Sequence, residues 1–296
     1  MAALALACAS ERPPAAPALE PVALPRGHPV LPIVELTLGE RPARVLLATG
    51  APTSMVDRGF ARTAKLVAAS GRVEDVALEL GPRRLEVAEF LQRDLSSGRH
   101  APVEVDAVLG FDVLRRVVFM VHDRRVSIFP EDVHIQGAID GLVPERVFVP
   151  MRFNLRTGLP IIYYDLQLPT RNFESTKLEG TVRIDLFLDT GQTMVIGLPP
   201  LLTKLLEQEP PYRLAPFTFG SWTMAEVAVT ETEERAVLGM GALRPAPMVF
   251  DGPARRLWIL APPGYGEKAE PEDAAEAERP AEEPAIEELP IDITAD

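Results

Sequence analysis

The stretch Val182-Arg183-Ile184-Asp185-Leu186-Phe187-Leu188-Asp189-Thr190-Gly191 decides how this chain is read. Apolar and polar residues alternate along it as in a half-buried strand, and the alternation ends in a small turn carrying one carboxylate. Val195, Ile196 and a leucine-rich helical segment, 199–208, come next. Roughly 140 residues earlier, Val45-Leu46-Leu47 runs into Ala48-Thr49-Gly50-Ala51-Pro52-Thr53-Ser54. Strand, turn and following apolar segment recur, but the acid does not: Ala48 stands where Asp189 stands in the second copy.

The duplication extends beyond the turns. Ala107-Val108-Leu109-Gly110 and Ala236-Val237-Leu238-Gly239 are the same four residues, and Leu114-Arg115 and Leu243-Arg244 follow at the same spacing. An aspartate near a basic pair then precedes the last strand of each half, Asp123 with Arg124-Arg125 and Asp251 with Arg255-Arg256. A period near 130 residues is a domain duplication, too long for a solenoid repeat. Hairpins are predicted over 30–47, 73–91 and 217–224, and a helix over 54–66. Short strands and frequent turn signals predict an all-β fold with short helices, and the repeat predicts two lobes.

The lobes are expected at 28–131 and 147–261, joined by a linker at 132–146. Residues 1–27 read as an apolar start followed by a Pro/Ala linker, and 262–296 as a disordered acidic tail. From residue 267 onward twelve acidic residues face two basic ones, so this segment carries −10 of the chain's −13. The remainder is nearly neutral without a basic stripe, which argues against a nucleic-acid partner. Cys8 is the one cysteine, so no intrachain disulfide forms. It follows a short Ala/Leu run that resembles the end of a bacterial lipoprotein signal, which implies lipidation of Cys8 and anchoring to a membrane of the cell envelope, with secretion as the alternative. The run lacks a basic start, which implies a start codon upstream.

An apolar strand, a turn that is Asp-Thr-Gly in the second copy and Ala-Thr-Gly in the first, and an apolar-apolar-Gly segment, in register in both copies, resemble the aspartic proteases, in particular bacterial retropepsin-like proteins with two fused, pepsin-like lobes. The resemblance covers about 28–261 and implies a two-lobe acid-protease fold, with one dyad aspartate from each lobe and a peptide or protein segment bound in the cleft between them. Thr49 and Thr190 are then the residues that brace the two turns against each other, and Gly50 and Gly191 permit the tight turns. Two carboxylates in contact cannot both ionise, so one activates water while the other keeps a proton for the developing oxyanion. With Ala48 in the first turn only Asp189 remains, and that division of roles is lost.

Asp57 reads as a solvated helical residue, Asp106 and Asp112 as structural groups beside Val108-Leu109-Gly110, and Asp185 as an alternating strand residue. None is expected to replace the missing acid. Gln192 stands where the family pattern has a small residue or a hydroxyl. The four histidines have no metal-ligand spacing, and neither a nucleophile elbow nor a phosphate or dinucleotide loop is present, so no metal or cofactor is expected. The expected function is that of a pseudo-protease with a peptide-binding cleft. Its alternatives are an active aspartic peptidase, with Ala48 introduced by engineering or Asp189 pairing across a dimer, and a structural or adaptor lipoprotein.

Overall fold

The computed structural model describes residues 22–25, 27–66, 71–81, 83–96, 101–122, 125–130, 147–168, 171–173, 176–178, 180–214, 216–219, 222–224, 226–243 and 247–260. The expectations for Cys8, Asp123, the 132–146 linker and the 262–296 tail lie outside them. Strands dominate, and the helices among the described residues are four short ones.

Each half of the chain starts from a hairpin. Ile33–Leu38 turns at Gly39 (φ 66°) and pairs antiparallel with Arg41–Leu47, with every second side chain of its outer part exposed. Beyond the Ala48-Thr49-Gly50 turn the chain returns as Met55–Asp57, forms the helix Arg58–Thr63, and adds the hairpin Arg72–Leu80 with Arg83–Arg93. Ala107–Leu109 then inserts between the two turn-flanking strands, parallel to Val45–Leu47 and antiparallel to Met55–Val56. The sheet order is therefore Ile33–Leu38, Arg41–Leu47, Ala107–Leu109, Met55–Asp57, Arg83–Arg93, Arg72–Leu80.

The second half builds the same order from Pro160–Gln167, Thr181–Asp189, Val237–Gly239, Ile196–Leu198, Val227–Glu231 and Tyr212–Leu214, with Arg152–Phe153 added at one edge. Neighbouring strands alternate antiparallel, parallel, antiparallel, parallel, antiparallel in both sheets. A hydrogen-bond sense repeated pair by pair is what the duplicated sequence demands, because each apolar segment must again find two flanking partners for its backbone groups.

A third sheet joins the halves. Its order is Val22–Pro25, Arg125–Ile128, Val118–His122, Met248–Asp251, Arg256–Ile259, Val147–Pro150, three strands from each half and all antiparallel. At its centre Phe119 faces Phe250, Met120 faces Val249 and Val121 faces Met248, with the Phe119 and Phe250 rings 5.1 Å apart. Phe111, from the short helix Phe111–Leu114, packs edge-on against Phe153 and Phe250 of the other half at 5.2 and 6.2 Å. One apolar core thus runs through both halves.

Two sequence expectations change. Residues 54–66 are not one helix: Met55–Asp57 is a strand parallel to Leu91–Arg93, and the helix starts only after Asp57. The carboxylate of Asp57 accepts hydrogen bonds from the Gly59 and Phe60 N–H groups, an N-cap that fixes where the helix begins. The 1–27 segment is not linker throughout, since Val22–Pro25 pairs with Arg125–Ile128 at the edge of the joining sheet. An edge position tolerates the closing proline, which has no N–H to give to a further neighbour.

Candidate functional site

Val45–Leu47 and Phe187–Asp189 each lie between an antiparallel and a parallel neighbour, so both turns leave their sheets from firmly held strands. The turns meet. The Thr49 N–H donates to Thr190 Oγ1 and the Thr190 N–H donates to Thr49 Oγ1, both at 3.1 Å. Thr49 Oγ1 in turn donates to the Leu188 carbonyl at 2.7 Å, and Thr190 Oγ1 to the Leu47 carbonyl. Both threonines are fully buried. Each hydroxyl therefore accepts one bond and donates another across the junction, using its capacity in both directions away from water.

The glycines serve a purpose other than the backbone freedom expected of them. Neither Gly50 nor Gly191 has a positive φ. A Cβ on Gly50 would overlap the Asp189 carboxylate, and one on Gly191 would lie 2.8 Å from the Ala48 Cβ. They are glycines because the opposite turn occupies the space a side chain would need. The apolar-apolar-Gly segments obey the same logic: a Cβ on Gly110 would come within 2.8 Å of the Ala51 carbonyl oxygen, and one on Gly239 within 3.0 Å of that of Gln192. These approaches leave room for matching backbone bonds, Phe111 N–H to Ala51 O at 2.7 Å and Met240 N–H to Gln192 O at 2.8 Å. In the first half alone a side-chain relay adds support, Gly110 N–H to Ser54 Oγ and the Ser54 hydroxyl to Asp112.

Asp189 sits at the centre of this junction, 5% exposed. Its Oδ1 accepts from the Gly191 N–H at 2.9 Å and from the Gly50 N–H at 3.3 Å, one donor from each turn. Burial pushes its pKa up, and this outweighs the opposing pull of the Gly191 N–H, the Arg235 charge, the Gly50 N–H and the Gln192 side chain. Arg235 lies with a guanidinium nitrogen 4.0 Å from Asp189 Oδ2, too far for a hydrogen bond. The same nitrogen donates to the Gly50 carbonyl at 3.1 Å, and the guanidinium lies over the Phe187 ring at 5.0 Å. Ala48 is buried against Gly191, and both face a cavity of about 350 Å³. Asp189, Arg235, Arg93, Gln192, Met55 and Leu91 also line it, on both sides of the junction.

None of the other acids considered from the sequence lines this cavity. Asp57 caps its helix and also accepts from the Leu95 N–H; Asp106 accepts from the Arg44 N–H; Asp112 accepts from Ser54; Asp185 is exposed opposite Tyr163. Among the described residues no group of three or more His, Cys, Asp or Glu is arranged to hold a metal ion. Arg235 and Arg93 escaped the sequence reading. A signal for Arg235 existed: it directly precedes Ala236-Val237-Leu238-Gly239, at the place where the first copy has Asp106.

No protein-family model matches this sequence, and a search of curated proteins finds no match either.

Proposed function

We propose that this protein is a two-lobe acid-protease-like protein that has lost one dyad acid and binds a peptide or protein segment in the cleft between its lobes without cutting it. The observation that carries this reading is the reciprocal Thr49–Thr190 exchange, which sets Ala48 opposite Asp189 at the floor of a shared cavity. The matching strand order of the two sheets supports the same fold.

Peptide hydrolysis at such a junction needs one carboxylate to take a proton from water and another to donate one to the carbonyl oxygen. A lone Asp189 offers a single protonation state at a time. General acid–base groups contribute about 10²–10⁴-fold each, and groups acting as a unit lose most of their effect when one is removed. Arg235 cannot replace the absent acid as a proton donor, because a guanidinium stays protonated. Binding is a different matter, since the cavity and its apolar wall of Leu46, Pro52, Met55 and Leu91 remain. In the cell this binding role is proposed for the envelope, with lipidated Cys8 as the membrane anchor. No helix among the described residues is long and apolar enough to cross a membrane.

The test joins cleavage and labelling. The full-length protein is incubated from acid to neutral pH with an unfolded protein substrate, and separately with photo-crosslinking peptides. No cleavage is expected, together with crosslinks at Met55, Leu91 or Gln192. Cleavage that disappears in Asp189→Asn would make the protein a working protease, and crosslinking that avoids the cavity would remove the binding role.

A further inference from the structure

Two arginines line the cavity next to the place that Ala48 leaves without a carboxylate, and their donors are mostly unspent. Arg235 uses one guanidinium nitrogen on the Gly50 carbonyl, and Arg93 uses one on the carbonyl of its neighbour Gln92 at 3.1 Å. Arg93 makes no ion pair among the described residues, and the nearest acid to Arg235 lies beyond hydrogen-bond range. A guanidinium has five N–H donors in a planar fork, a shape that fits a carboxylate.

We propose that the segment held in the cleft is anchored by a carboxylate, which enters the space beside Ala48 and is bound by Arg235 and Arg93. This rests on the peptide-binding reading above and deepens it by naming the chemistry of the bound group. Charge favours it, since two guanidinium groups face a single acid around the cavity. Position favours it too. Phe187 beneath Arg235 and the Gly50 carbonyl hold that guanidinium in place before any ligand arrives, so little ordering is needed on binding. Burial raises the Asp189 pKa, which widens the pH range over which its carboxyl carries a proton it can donate to an incoming carboxylate. The ligand's acid would then stand beside Asp189 where a second dyad acid is absent. The apolar wall of Met55, Leu91 and Pro52 accepts the residue that carries the charge, or its neighbour.

Such a carboxylate has two sources, a free peptide C-terminus or an Asp or Glu side chain. Fluorescence anisotropy with the full-length protein separates them, using three N-terminally labelled peptides of one apolar sequence: one ending in a free acid, one amidated, and one amidated with an internal Glu. At least one acidic probe is expected to bind about tenfold or more tighter than the neutral amide, the scale of one charge-assisted hydrogen bond. Preference for the free acid identifies a C-terminus as the anchor; preference for the Glu peptide identifies a side chain. Arg235→Gln and Arg93→Gln should each remove most of that preference, while Arg→Lys at either position retains part of it. Arg93 is exposed, so its variant is read even if Arg235→Gln fails to fold. Equal binding of all three probes, or a preference that survives both Gln substitutions, would overturn the carboxylate anchor and leave peptide binding standing. No binding by any probe would overturn both.

Discussion

Asp189 is held by two backbone N–H groups from opposite turns, yet burial still pushes its pKa above the ordinary carboxylate value of 3.8. A raised pKa in the folded state contributes stability that is complete below the unfolded-state value and is lost as pH rises through the folded one. Asp189→Asn keeps an oxygen for the Gly191 N–H but cannot ionise. The variant should therefore gain stability relative to the parent as pH climbs from below 3.8 to neutral, read as the difference in melting temperature at each pH. A difference that stays flat over that range would mean that Asp189 folds without a shifted pKa. At this scale the sequence was partly legible. A carboxylate ending a strand marked the Asp189-Thr190-Gly191 turn, and the same Thr-Gly after an apolar run marked Ala48-Thr49-Gly50; both are local signals. The reason for Gly50 and Gly191 was not local: the atoms that exclude a side chain belong to the turn 141 residues away. Arg235 was missed for the same reason, as its partners are Gly50 in the turn of one half and Phe187 on a strand of the other.

The two turns act as one element through the threonine exchange. Removing the Thr49 hydroxyl as Thr49→Val deletes the donor to the Leu188 carbonyl and the acceptor of the Thr190 N–H, leaving both groups buried without that partner. Each unsatisfied group costs about 1–3 kcal/mol, so a loss of that order or greater is expected in denaturant midpoint experiments. Thr190→Val removes a different pair of bonds and should cost a similar amount, and the double variant less than the two single losses added, because either change already loosens the junction that the other pair spans. Additive losses would mean that the turns do not support each other. The repeated Ala-Val-Leu-Gly segments were readable in advance because a central strand flanked on both sides must be apolar and must approach the adjacent turn without a Cβ. Val22–Pro25 was not, since four residues at a sheet edge carry too little alternation to stand out in Pro- and Ala-rich sequence. The start of the helix at Arg58 was hidden by the apolar pattern of Met55 and Val56, which serves a strand before the Asp57 cap.

On the scale of the whole molecule, the joining sheet makes the halves interdependent. Its central pairing joins one strand of each half, with Phe119 opposite Phe250, Met120 opposite Val249 and Val121 opposite Met248. A first half expressed alone would expose the Val118–His122 edge and the Phe119 face, an unpaired edge suited to a copy of itself. Sedimentation should find that half dimeric or aggregated; a stable, folded monomer would show that the joining sheet is dispensable. The duplication was legible because both halves repeat their chemistry in order, whereas the joining sheet was only implied, being made of pairings between distant segments. The alignment of the halves also bears on the proposed loss of an acid at position 48. In the second half the Asp189 carboxylate rests over Gly50, and the arrangement of Ala48 against Gly191 offers an aspartate at 48 the corresponding seat. The most direct measurement is cleavage of an unfolded protein substrate at acid pH by Ala48→Asp, by that variant combined with Asp189→Asn, and by the unmodified protein. Cleavage by Ala48→Asp alone is expected, absent in the other two; an inactive but folded Ala48→Asp, or activity in the unmodified protein, would contradict a cleft that lacks only one acid.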